Sequence, residues 1–327
     1  MPPSSSTPAP LRPRIVFTDL DGTLIHYPGH DGCPVLDPDA ADSVITLLPS
    51  TTGLRGVISA ATLAGLAALR ALPGVRLVIV SGARSSTLDR RLPYLPACDA
   101  IAAEGGGRLH WAGRRAAAGT PVVADLSEDL EWRAAHAATA GPPSQNEETP
   151  PEQRQGALWD AYRALVADGW APDAVAYSTA FRLPLRTDRT GKTGADLAAA
   201  LAALPLSLQA TSNLGCADVL PATSGKAAVG AHIMAALGAD PADCAFLCDD
   251  ANDLCLAAQV GRVFVVRATD ASVAAAAAAD PGKFWQSGTD GPPASEAAIG
   301  ACMAWLMGVG DGEGVGVGVG KAGVVRA

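Results

Sequence analysis

Five brief apolar runs punctuate the chain, at residues 15–18, 77–80, 100–103, 245–248 and 263–266, several of them flanked by Gly, Asp or Arg. Runs this short and this continuously apolar have the pattern of strands buried on both faces. Most are separated by segments that favour helix, because alanine supplies much of the apolar content. Residues 62–71 form one such segment, with Ser59 or Thr62 as its cap, and residues 227–237 form another, stopped by Gly238. Strands alternating with helices call for a doubly wound α/β parallel sheet. Ligands of such sheets bind beyond the carboxyl ends of the strands.

The texture changes between residues 108 and 220. A charged helix is expected over 128–140, then the loop GPPSQNEETPPEQ, a second helix near 155–168, and strand-like pieces such as 175–182. Strands and helices no longer alternate one for one, so this region reads as an α+β domain inserted into the first. The expected organisation is a polar tail over 1–13, a discontinuous α/β core over 14–107 and 221–305, the insert over 108–220, and a Gly/Val low-complexity tail over 306–327. Residues 28–53, rich in Pro, Asp and Thr, are expected to form an ordered excursion or lid.

The chemistry is concentrated where the apolar runs end. The first runs into Asp19-Leu-Asp21-Gly22-Thr23. Side chains at i and i+2 of a strand share a face, so both carboxylates can converge just past the strand, where Gly22 lets the backbone turn. Two close carboxylates repel unless a cation neutralises them, and Mg²⁺ suits such a pair because it leaves room for phosphate. An acidic turn without chemistry is the plainer alternative. A second cluster, Asp249-Asp250-Ala-Asn252-Asp253, follows the run at 245–248. One of these residues suffices to cap a helix; four, three of them carboxylates, imply a cation. Ser81-Gly82-Ala-Arg84 follows the run at 77–80. Its hydroxyl and backbone N–H can hold phosphate oxygens, although Ser-Gly is equally a plain turn. Lys226, just ahead of an apolar helix, can offset phosphate charge or can be an ordinary surface lysine.

In the order DxD, Ser-Gly, Lys, DDxND, these segments resemble the haloacid dehalogenase superfamily of phosphohydrolases, in the class with a large α+β cap that includes Cof-type and sucrose-phosphate phosphatases. Glu104-Gly-Gly-Gly-Arg108 resembles the glycine-rich junction where that cap begins. The resemblance implies Asp19 as nucleophile, Asp21 as general acid/base, Ser81 and Gly82 as phosphate-binding groups and Lys226 as their stabiliser. It further implies Mg²⁺ held by Asp19, the Asp21 carbonyl and Asp249, with Asp253 supporting directly or from behind, and Asp250 and Asn252 close by. Arg84 and Arg182 are candidates for substrate binding, Arg154 reads either as a substrate contact or as a solvated charge, and Glu128, Asp129, Glu131 and Arg133 read as a solvated helix face. Cys248 departs from the family, which has glycine there, and the 28–53 excursion is longer than the usual flap.

The implied activity is Mg²⁺-dependent hydrolysis of a small phosphorylated metabolite, a sugar phosphate, through an aspartyl-phosphate. A phosphosugar mutase and a silent binding protein on the same fold are the alternatives. A P-loop reading of Thr190-Gly-Lys-Thr193 fails because Arg186 occupies the position that needs glycine. The net charge of −9 argues against nucleic acid. No apolar run approaches the roughly 20 residues of a membrane span, and no protein partner can be inferred. Seven cysteines without a CxxC pair suggest reduced thiols; Cys244, Cys248 and Cys255 match no zinc spacing. With no secretory h-region in MPPSSSTPAPLRP, the expected compartment is the cytoplasm.

Overall fold

The structure, a computed structural model, describes residues 12–30, 33–35, 43–49, 53–113, 126–184, 190–213 and 216–309. In chain order the strands are β1 (Arg14–Thr18), β2 (Val44–Thr46), β3 (Val57–Ser59), β4 (Val75–Val80), β5 (Ala100–Ala103), β6 (Arg108–Ala112), β7 (Leu126–Glu128), β8 (Phe181–Pro184), β9 (Leu208–Asn213), β10 (Cys216–Pro221), β11 (Ala245–Cys248), β12 (Arg262–Val265) and β13 (Phe284–Gln286). All five apolar runs are strands of one eight-stranded sheet, ordered β13-β12-β11-β1-β4-β5-β6-β7 and parallel from β13 to β5.

Alternation along these strands divides the core into two layers. Val16, Leu77, Ile79, Ala245 and Leu247 face α1 (Ala60–Ala71) and α10 (Pro292–Leu306), packing with Leu66, Leu69, Ala298 and Ile299. Ile15, Phe17, Val78, Val80 and Phe246 face α7 (Lys226–Leu237), packing with Val229, Ile233 and Met234. Each of these large side chains contributes about 1.5–3 kcal/mol by leaving water. Cys248, the departure from glycine, is fully buried in the second layer beneath the site. The Ser59 cap of α1 is observed, its hydroxyl accepting from the Thr62 amide at 2.9 Å.

The insert begins later than residue 108. After Glu104 and Gly105-Gly106, all at positive φ, the chain folds back and β6 pairs antiparallel with β5, and β7 then pairs with β6. The glycine-rich junction therefore makes a hairpin within the main sheet. Side chains are excluded at Gly106, where a Cβ would lie 2.6 Å from the Gly225 carbonyl at the entry to α7. Beyond β7, α3 (Leu130–Ala135) packs its Trp132 into the second layer of the main core, and α4 (Ala137–Ala140), α5 (Ala157–Ala167) and α6 (Gly194–Ala202) accompany the three-stranded sheet β8-β10-β9. Their shared core includes Trp159, Tyr162, Phe181, Leu183 and Val219. The helix expected over 128–140 is split at His136, and only Phe181 and Arg182 of the expected 175–182 strand are extended in β8. The described parts of the 28–53 excursion include β2, which pairs antiparallel with β3 just beyond it; residues 31–32, 36–42 and 50–52 lie outside the described set, as do residues 1–11 and 310–327 of the tails.

The arginines read as solvated are structural. Arg154 is buried, stacks 4.3 Å over Trp159, and donates to the carbonyls of Thr149, Tyr177 and Glu147. Arg133, also buried, donates to the Gln145 carbonyl. The polar loop is thus ordered by guanidinium groups beneath it. Asp129 caps α3, and Glu128 pairs with Arg108.

One buried carboxylate ties insert to core. Glu104 accepts from the amides of Ser178 (2.9 Å) and Thr179 (2.7 Å) and from the Thr179 hydroxyl (2.6 Å). Glu104→Ala leaves these donors unpaired, at about 1–3 kcal/mol each. We expect about 3 kcal/mol of lost stability in urea unfolding, and a smaller loss for Glu104→Gln.

Candidate active site

The strand order determines which residues meet. β1 lies between β11 and β4, with Thr18 in register with Leu247 on one side and Ile79 on the other. The residues just past these three strands, Asp19, Asp249 and Ser81, therefore emerge side by side, which is why three segments distant in sequence form one site. They line a cavity of about 420 Å³ together with Asp21, Gly82, Lys226 and Asp250.

Lys226 starts α7 and is buried, its Nζ 2.9 Å from Asp19 Oδ1 and 2.6 Å from Asp253 Oδ1. Asp253 Oδ2 accepts from the amides of Asp249 and Asp250 at 3.3 and 3.2 Å. With both oxygens so engaged, Asp253 holds the acidic loop and the lysine in place. Thr23, quoted in the first motif but given no role, donates to Asp249 Oδ1 at 2.6 Å. Gly22 has φ +89°, and a Cβ there would lie 2.1 Å from Asp249 Oδ2, so the turn and the carboxylate can coexist only with glycine. Asp250 caps the following turn through the Ala251 amide, while Asn252 Oδ1 is buried without a hydrogen-bond partner among the described residues.

Electrostatics favour a cation here. Asp19, Asp249 and Asp253 offer oxygens within 4.8 Å of one another, all buried. Burial raises the Asp19 carboxyl to about 7, with Lys226 pulling it down and Asp253 and Asp21 adding to the rise. Burial also raises Asp249 well above the carboxylate range, reinforced by Asp19 and Asp253. Burial pulls the Lys226 ammonium down, but Asp19 and Asp253 outweigh it and the net shift is upward. Three carboxylates against one ammonium leave two negative charges, the deficit a divalent oxygen-seeking ion makes good. The donor set fits Mg²⁺.

Ser81 Oγ accepts from the Ala83 amide at 3.0 Å, which leaves its own proton to donate. Arg84 is not at the cavity. It pairs with Asp173 and lies over the Tyr177 ring, joining core to insert rather than lining the cavity where substrate binding was expected of it. Arg182 does line the cavity from β8, with Nε 2.8 Å from Asp218 Oδ1.

Several wall residues carried no sequence signal: His26, Tyr27 and His30 from the excursion and its approach, Ser212 from β9, and Arg267 beyond β12. Only Arg267 was open to inference, from the rule that ligands lie past strand ends. His26 is pulled down to about 4 by burial, with Arg267 adding to the effect. Ser295 Oγ gives its proton to the Thr23 carbonyl (2.5 Å), so His26 Nε2, 2.7 Å away, must be the donor to that oxygen. The imidazole is the neutral Nε2–H tautomer.

No protein-family profile matches the chain, and no curated protein does. Solved structures do. The sucrose-phosphatase of Synechocystis sp. PCC6803, in complex with sucrose and phosphate, is similar at 15% identity and a TM-score of 0.54, over 88% of this chain and 97% of that one. A haloacid dehalogenase-like hydrolase from Bacillus subtilis is similar at 12% identity and a TM-score of 0.51, over 91% and 93%. These likenesses establish the fold, a parallel-sheet core with an inserted cap.

A folded-state pKa above the unfolded value means that the native Asp19 holds its proton more tightly. In metal-free protein this contribution is fully present below about pH 4 and is lost as pH rises to about 7. Mg²⁺ competes with that proton, so we expect added Mg²⁺ to raise Tm by several degrees at pH 8 and by much less at pH 5, read by differential scanning fluorimetry beside an EDTA control.

Proposed function

We infer that this chain, which has the fold of the haloacid dehalogenase-like hydrolases, is a Mg²⁺-dependent phosphatase acting on a small phosphorylated metabolite, a sugar phosphate. The observation that carries the reading is a buried aspartate, Asp19, at the end of the central strand. Lys226 lies 2.9 Å from it, Asp249 stands beside it, and the Ser81 hydroxyl lies across the same cavity. The resemblance in fold to a sucrose-phosphatase supports the sugar class, as does a cavity walled on one side by the cap residues Arg182 and Ser212.

The reaction consists of two displacements. The Asp19 carboxylate attacks phosphorus, the bond to the leaving oxygen breaks, and Asp21 gives that oxygen a proton. Water then attacks the aspartyl-phosphate, Asp21 takes its proton, and phosphate leaves. Ser81 and the Gly82 backbone bind the transferring group, and Lys226 balances the charge shared by Asp19 and phosphate. Asp19, Asp249 and the Asp21 carbonyl would hold a Mg²⁺ ion, which when bound would supply the remaining charge neutralisation between nucleophile and phosphate dianion.

Phosphate release from a panel of sugar phosphates, with Mg²⁺ or with EDTA, tests this. Release is expected only with Mg²⁺, and Asp19→Asn should lower kcat by about 10³-fold or more. An Asp19→Asn protein that turns over at the wild-type rate would end the reading.

A further inference from the structure

Asp21 sits in an arrangement that the two-displacement scheme does not require. Its Oδ1 accepts from the Tyr27 hydroxyl at 2.5 Å and from Arg91 Nη1 at 2.8 Å. The same Nη1 lies 3.0 Å from Oδ2, and Arg91 Nη2 donates to the Tyr27 oxygen at 2.6 Å. Arginine, tyrosine and aspartate therefore close a three-membered ring of hydrogen bonds. Arg91 is buried and ends α2 (Ser85–Arg91); Tyr27 follows the turn that begins at Gly22.

We propose that Arg91 and Tyr27 are positioning residues that fix the rotamer of Asp21 and so select Oδ2 as the oxygen that exchanges protons with substrate and water. This rests on the phosphatase reading. A carboxylate oxygen accepts about two hydrogen bonds. Oδ1 has both; Oδ2 has only the longer half of a shared N–H and keeps a lone pair for chemistry. A free aspartate side chain on a turn would sample several rotamers, most of them unproductive for a proton transfer that needs close approach to the reacting oxygen.

The ring also couples two parts of the site. The helix that ends in Arg91 begins four residues after Ser81, so the phosphate-binding turn and the holder of Asp21 sit at opposite ends of one short rigid element. Tyr27 ties the same carboxylate to the excursion that carries His30 into the cavity wall. The seat of the proton-transfer group is thus set by two elements that also shape the cavity. A lysine in place of Arg91 retains charge but not the planar pair of donors that reaches Asp21 and Tyr27 at once.

Two substrates with different leaving groups separate positioning from general structural support. p-Nitrophenolate leaves without a proton, whereas an alkoxide needs one. Wild type, Tyr27→Phe and Arg91→Lys are compared on p-nitrophenyl phosphate and ethyl phosphate with Mg²⁺, with Tm confirming the fold. In both variants the first nitrophenolate should be released within about threefold of the wild-type rate, as a burst of about one per site. Steady turnover should then be slower by about tenfold or more, because water activation uses Asp21. On ethyl phosphate the first turnover itself should slow by about tenfold or more, with KM little changed. Folded variants that match wild type on both substrates, or that slow both first turnovers equally, overturn the positioning role and leave the phosphatase reading standing. A folded wild type that releases phosphate from neither compound, nor from the sugar phosphates, overturns both.

Discussion

The structure depends most on a single buried ammonium. Lys226 is enclosed with Asp19 and Asp253, and the sheet, α7 and the acidic loop all converge on that pair of contacts. Charges this deep are tolerable only when paired, and stripping one partner from such a cluster typically costs about 3–5 kcal/mol. The same constraint explains the dispensation of roles. Asp253 spends both oxygens on scaffolding, whereas the carboxyl groups of Asp19 and Asp249 line the cavity. The elements that make the core crowd these carboxyl groups together, a strain that a bound cation would relieve.

Around this centre the cap is attached by polar contacts more than by shared apolar core. Glu104, Arg84 and Arg108 of the core reach Ser178 and Thr179, Asp173, and Glu147 of the cap region. The cap's own apolar cluster, built on Trp159 and Phe181, is separate from the two layers of the main sheet. A junction of this kind fixes orientation through directional bonds while leaving the cap an independently packed body, so the cavity between them keeps a defined shape with walls of different origin.

Much of this was legible in the chain itself. Continuous apolar runs ending in acidic or hydroxyl residues are a local signal, and all five became strands of one sheet, with Asp19, Ser81, Lys226 and Asp249 brought together at their ends. What escaped notice depended on contacts between segments far apart in sequence. Arg133 and Arg154 sit in charged, proline-rich surroundings that read as solvent-facing, and nothing local reveals that carbonyls and an indole close over them. Arg91 lies in a stretch without a motif, and its importance arises only because α2 ends beside the turn after β1. The hairpin at β6 was hidden because glycine-rich turns and domain junctions have the same composition. The pairing of Arg84 with Asp173 was hidden for a related reason: proximity to a strand end in sequence does not say which way a long side chain will reach.

The clash at Gly22 has a consequence for how this chain can change. Because a single methyl group at position 22 would occupy the space of the Asp249 carboxylate, the two positions cannot be altered independently. Even a descendant that lost Asp249 would keep the φ of +89° at position 22, which strains any side chain there, so glycine is required by the backbone as well as by the carboxylate.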